Sequence, residues 1–299
     1  MLISPYDLLA LGAAGCWALT SVLSANPSRH LGAFAFTRLR MLSVLVMLWP
    51  VVLLMGTWRG WEPGQLATMA VSGLVGIFVG DTALFAAMNR LGPRRTGVLF
   101  ATHAIFSAVL GFGVLDERMG SQALLGAALV VAGVMAAIVL GRHKDEAHAW
   151  ESNRGSLAWG VALGLLAAFC QALGSLIAKP VMATGVDPVA ATAVRVSATC
   201  VAQYLLLWSG FAAARAHAAP TRAVVVQVAW VGLIGMGVGM GLIMLALQHG
   251  DVGTVGVLSS VTPVLVLPLL WMRMGRAPAR GAWLGAGLTV LGTALMLLR

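Results

Sequence analysis

Charge is what this sequence has least of. Only 10% of its 299 residues are Asp, Glu, Lys or Arg, while 60% are hydrophobic. A soluble domain carries about 25% charged residues, so too little polar surface exists here to cover a water-soluble core. Long polar stretches are missing too. The widest gap between apolar runs, 141–156, is loop-sized and leaves no room for an extramembrane domain. Cysteine is scarce: Cys16, Cys170 and Cys200 all lie within apolar runs, and none has metal-ligand spacing. An odd number of such thiols argues against a disulfide framework, and they read as small buried hydrophobes. There is no metal motif, phosphate-binding loop or nucleophile–base pair of the kind a lipid-acting membrane enzyme would need, so no catalytic residue and no cofactor are expected. Residues 1–6 carry no basic side chain and further apolar runs follow the first, so that run is read as a retained helix and not a signal peptide. The net charge of +9 comes from basic residues scattered singly between apolar runs, which suits membrane-flanking loops and not nucleic acid.

The apolar runs themselves are the main feature. A bilayer core needs about 20 apolar residues per helix. On that criterion ten spans fall near 7–25, 32–55, 65–88, 96–114, 122–140, 156–178, 187–212, 223–248, 253–272 and 281–298. Breakers and charge mark the connectors. They include Asn26-Pro27-Ser28-Arg29, Trp58-Arg59-Gly60-Trp61-Glu62-Pro63-Gly64, Gly92-Pro93-Arg94-Arg95, Asp116-Glu117-Arg118, Asp187-Pro188 and Arg276-Ala277-Pro278.

The second half repeats the first. A shift of 159 carries Gly73, Gly76, Gly80, Gly97, Gly126 and Gly133 onto Gly232, Gly235, Gly239, Gly256, Gly285 and Gly292. The same shift puts Leu74, Val79, Ala87, Val98, Leu99 and Leu129 on identical residues. Earlier in each half the shift is smaller: Cys16, Ala18, Leu19 and Ser21 match Cys170, Ala172, Leu173 and Ser175, and Arg38 falls near Arg195. The units are therefore 1–140 and 156–299, joined by 141–155 with its charged His143-Lys144-Asp145-Glu146. Five is odd, so the second unit enters the membrane upside down, the usual skeleton of an alternating-access carrier. Small residues spaced four apart, as in Gly76-x-x-x-Gly80, Gly235-x-x-x-Gly239, Gly237-x-x-x-Gly241 and Gly281-x-x-x-Gly285, let helix backbones approach closely where lipid gives no hydrophobic drive to pack. The glycine-rich run 232–241 resembles a dinucleotide fingerprint only superficially, with no strand before it and no acid after it.

Ionisable groups at membrane depth face a cavity or one another. Arg38, Asp81, His103 and Arg195 are the candidates. Asp81 and His103 each lie eleven residues from the turn at Gly92, which places them at one depth. If they share a face they form a buried pair. Burial then disfavours charge on both while their attraction opposes that, and a proton could bind or leave near neutral pH. Their matches in the second half, Met240 and Thr262, do not ionise, so such a site is confined to the first half. Arg38 could pair with Asp81 or attract an anionic solute group. Neutral polar groups cluster as Trp17, Thr20 and Ser21 on span 1, Gln171 and Ser175 on span 6, and Ser259, Ser260 and Thr262 before Pro263 on span 9. Trp17 and Gln171 occupy matching positions, and Pro263 and Pro268 free carbonyls in span 9. Glu117 reads as a cap for span 5.

Trp17 on span 1, the arginine in span 2, Gly97-Val98-Leu99-Phe100, Leu115-Asp116-Glu117-Arg118-Met119 and the run 126–134 together resemble an EamA-type member of the drug/metabolite transporter superfamily. The strongest local match is 96–134, with Glu117 on the family's glutamate, and Ser259-Ser260-Val261-Thr262-Pro263-Val264 is its counterpart. The chain departs from the family at Gly275-Arg276, where a second glutamate often stands, and in having His103-Ala104 opposite Thr262-Pro263. The resemblance implies a ten-helix inner-membrane carrier with a central cavity, and many such carriers export amino acids or other small metabolites. It also implies cytoplasmic termini. Loop Lys and Arg concentrate after spans 1, 3, 5, 7 and 9, which by the positive-inside rule would put the termini outside. We adopt the topology of the resemblance.

The expectation is an all-α polytopic membrane protein that moves a small polar organic solute, with protons as a possible co-partner and no nucleic acid. The solute would meet Trp17, Arg38, Gln171, Arg195 and Ser259. A lipid-translocating or regulatory membrane subunit is the alternative, and a laterally open apolar groove would favour it.

Overall fold

The computed structural model describes residues 4–140, 156–274 and 279–298. The loop at 143–146 and the Gly275-Arg276 departure lie outside the described residues. Every regular element among the described residues is helical. Eight helices are long and apolar enough to cross a membrane: α1 Pro5–Leu31, α2 Ala33–Met55, α3 Pro63–Leu91, α4 Arg95–Leu115, α6 Leu157–Met182, α7 Pro188–Trp208, α8 Arg222–His249 and α9 Val252–Leu269. Two further apolar helices are α5, Ser121–Leu140, and α10, Arg280–Leu297. Large side chains such as Leu54, Val109, Phe112, Trp208 and Leu284 stand exposed on their outer faces. A protein in water would bury them; a protein in lipid need not.

The turns sit where the backbone demands glycine. Gly32, Gly92 and Gly185 have φ of 83°, 81° and 83°, the left-handed region that costs glycine least. Asn26-Pro27-Ser28-Arg29, read above as a connector, is still helical. Helix α1 runs through Pro27 and turns only at Gly32, whose N–H bonds to Ser28 O at 2.9 Å.

The two halves interlock reciprocally. A methyl group on Gly126 of α5 would lie 2.8 Å from Gly292 O of α10, and one on Gly133 would lie 2.7 Å from Gly285 O. These are repeat-related glycines, cross-paired so that rising numbers on α5 meet falling numbers on α10. The two helices are therefore antiparallel although they hold matching places in the repeats. Gly76 and Gly80 of α3 lie against Gly174 and Cys170 of α6, while Gly235 and Gly239 of α8 lie against Thr20 and Cys16 of α1. One relation generates both contacts. The repeated glycines seen in the sequence thus form the seams between the halves.

Each half also carries the same irregularities. Helix α3 widens to a π-helix over Leu74–Asp81, and α8 does so over Leu233–Gly239. Helices α4 and α9 break near their middles, at Thr102 and at Ser260-Val261. Pro263 accounts for the break in α9, since its ring cannot follow the carbonyl of Ser259; Thr262 Oγ1 donates to that oxygen at 2.9 Å. π-turns free carbonyls from the regular ladder and are frequent at functional sites.

Candidate functional site

Buried charge at the seam of the halves defines the candidate site. Asp81 ends the π segment of α3 and is held by Arg40 of α2, whose Nη2 donates to Asp81 Oδ2. Both side chains are buried. The Arg40 guanidinium also stands 4.8 Å from the Phe85 ring centre and 5.7 Å from that of Phe36, close enough for cation–π attraction. Arg195 of α7 is 1% exposed and lies against α3: its backbone abuts Gly73, and a methyl on Gly76 would stand 3.0 Å from its Nη2. Its Nη1 reaches two thioethers, Met240 Sδ at 3.1 Å and Met244 Sδ at 3.4 Å. Its Nε and that of Arg40 are buried with no hydrogen-bond partner.

Arg40 escaped the sequence reading, which offered Arg38 either to pair with Asp81 or to attract an anionic solute group and took it as the match of Arg195. The structure corrects the pairing and the match. Arg38 bonds Ala214 O at 2.8 Å and lies 5.9 Å from the Tyr204 ring centre, in a surface cleft of about 210 Å³ lined also by Leu31, Ala35 and Pro220. Arg40 is the true counterpart of Arg195. It packs against Gly232 as Arg195 packs against Gly73, and Val44 and Thr199 take matching places beside them. The shift for this helix pair is thus 195 − 40 = 155. That value was within reach of the sequence, because it lies next to the 154 that aligns span 1 with span 6.

The remaining candidates separate into groups. His103 is 2% exposed, opens the second part of the broken α4 and lies 5.1 Å from the Phe100 ring centre. The described partner of the Asp81 carboxylate is Arg40 and not His103. Trp17 Nε1 donates to Gly235 O in the π segment of α8 at 3.0 Å. Thr199 Oγ1 donates to Gly73 O, just before the π segment of α3, at 3.0 Å. Thr20, Ser21, Ser175, Ser259 and Ser260 turn their hydroxyls back on carbonyls of their own helices, a bond that satisfies the donor and leaves oxygen lone pairs for other contacts. Gln171 is buried, and its backbone carbonyl accepts the Ser175 hydroxyl.

Glu117 caps a helix other than the one expected. Its carboxylate accepts the N–H groups of Val252 at 2.9 Å and Gly253 at 3.1 Å, closing the N-terminus of α9 across the halves and leaving α5 to begin without it. Lys179 performs the opposite service for α8, donating to Leu247 O at 3.0 Å and Gly250 O at 2.9 Å. A cation at a helix C-terminus is favoured by the helix dipole.

Antiparallel twin repeats, lipid-facing apolar surfaces and charge enclosed at their seam define a multi-pass membrane protein. The model of the EamA-like transporter family matches residues 4–139 and again 158–298, one match per repeat. The chain belongs to the EamA-like transporter family, a class of non-enzymatic transporters within the drug/metabolite transporter type. No curated protein matches it significantly. One solved crystal structure aligns over 98% of this chain and 96% of its own, with a TM-score of 0.77 and 18% identity; a likeness at that identity speaks for the fold alone.

Proposed function

We propose that the chain is a ten-span carrier of a small polar organic metabolite of the amino-acid-like kind, exporting it from the cytoplasm across the inner (plasma) membrane by alternating access. Its two five-helix repeats, 1–140 and 156–299, would divide at the 141–155 linker. One observation carries the reading: repeats of opposite sense enclose Arg40, Asp81 and Arg195 at their seam. Buried charge between lipid-embedded helices is costly and marks a solute or ion path. The π segments of α3 and α8 put adaptable backbone beside that charge in both halves, as rocking repeats require.

Counterflow in proteoliposomes tests this. Vesicles preloaded with amino acids, hydroxy acids, amines or neutral polyols should exchange at least one class saturably. Failure of every class to exchange, with the protein shown to be inserted and folded, overturns the carrier reading. For coupling, His103 is the proposed proton site, with Asp81 committed to Arg40. His103→Ala should flatten the pH dependence of exchange while the protein still inserts, and an unchanged pH profile removes His103 from that role.

A further inference from the structure

We propose that Arg195 binds the carboxylate of the transported solute, at the place where the second repeat lacks the acid that the first repeat supplies. The inference rests on the carrier reading and narrows its substrate to carboxylate-bearing solutes. Two shifts meet here. The 155 shift carries Arg40 onto Arg195, and the 159 shift carries Asp81 onto Met240. The two contacts Arg40–Asp81 and Arg195–Met240 are therefore the same contact in the two halves, and both are present. In one half the arginine meets a carboxylate. In the other it meets a thioether, a weak acceptor that leaves a guanidinium with five donors short of partners.

Charge and geometry agree. Arg40 takes the Asp81 carboxylate, while the described side-chain partners of the Arg195 guanidinium are thioethers and not an acid. A carboxylate would offset its charge and could accept two parallel N–H bonds from the guanidinium fork. Gly76 and Gly174 meet backbone to backbone with no room for a methyl between them, so space for a carboxylate comes from the methionine side. Met240 and Met244 are unbranched and can swing aside. The π segment of α3 runs past the guanidinium, so the backbone there is already loosened from the regular ladder.

The test uses the full chain purified in detergent and a panel of small carboxylates from acetate to octanoate and glycine to phenylalanine, each paired with its amide at fixed ionic strength. At least one carboxylate should raise Tm while its amide does not. Met240→Asp, which would complete the missing pair, should raise Tm on its own and weaken the carboxylate response by at least about tenfold. Arg195→Gln should lose the response as well, and Met182→Leu, at the far end of α6 from the residues that meet Arg195, should keep it. Equal protection by acid and amide, full retention of the response in Met240→Asp, or silence of every carboxylate overturns the proposal. Saturable counterflow of amines or polyols with carboxylates inert would reject the carboxylate site and leave the carrier intact. Exchange of nothing at all would reject the carrier itself.

Discussion

The two repeats place an arginine at the same point of the same helix and differ in what they set before it. In the first half Arg40 is neutralised by Asp81 and flanked by Phe36 and Phe85; in the second Arg195 has Met240, Met244 and a bare glycine face. A duplicated fold keeps its backbone relations cheaply, since the glycine seams repeat faithfully on both sides. It can afford to diverge where one side chain decides between a closed structural pair and an open site. The first half has the completed pair and the second an arginine that meets thioethers, so the first is expected to be sensitive in stability and the second in binding.

The largest effect should come from breaking the completed pair. Asp81→Asn leaves Arg40 buried without its counter-charge, and removing one partner of a buried ion pair costs about 3–5 kcal/mol. The equivalent change in the second half, Met240→Leu, exchanges one apolar side chain for another of similar volume and should cost less than about 1.5 kcal/mol. Thermal unfolding in detergent reads both. Replacing the pair together, with Asp81→Leu and Arg40→Met, should recover most of the loss, because apolar replacement of both partners is often neutral. Equal sensitivity of the two halves would break the comparison at its root.

The seams offer a finer contrast. On the α3–α6 side Gly174 meets backbone: a methyl there would lie 2.9 Å from Gly76 Cα and 3.3 Å from Ser72 O. On the α1–α8 side Gly235, the match of Gly76, meets the side chain of Thr20, the match of Gly174, at 3.0 Å and 3.3 Å, and a side chain can rotate away. Gly174→Ala should therefore destabilise by about 1–3 kcal/mol through overpacking. Gly235→Ala should come out near neutral, its crowding offset by the roughly 1 kcal/mol that alanine gains over glycine in a helix. The pair is read by Tm, and a Gly235→Ala loss as large as that of Gly174→Ala would show that both seams are backbone-limited.

The repeat, the span pattern and the packing use of glycine were all legible in the sequence, because a bilayer enforces span length and close approach enforces small residues at fixed spacing. What the sequence hid was which way a side chain points. Span 2 is apolar all round, so no periodic face separates Arg38 from Arg40, and the two were confused until contacts with Gly232 and Asp81 distinguished them. Asp81 and His103 illustrate the same gap: equal distance from the Gly92 turn gives equal depth but says nothing about rotation about the helix axis. The π segments carry no side-chain signature beyond their glycines, and the partner of Glu117 lies 135 residues away, beyond the reach of local capping rules.

That last contact gives a small, local effect and the cleanest probe of the division between the halves. Glu117 is a second place where the first repeat supplies an acid, and the second repeat has Gly275-Arg276 at the corresponding point of its sequence. The Glu117 carboxylate takes two N–H groups at the start of α9, where the unpaired amides and the helix dipole favour negative charge. Glu117→Gln keeps one acceptor oxygen and loses the charge, so it should cost about 1 kcal/mol. The loss should be local: amide exchange at Val252 and Gly253 should accelerate while that of α5, which Glu117 does not cap, stays unchanged. Acceleration in α5 instead, with α9 still protected, would return Glu117 to the role of a cap within its own half and take away one of the ties by which the first repeat holds the second.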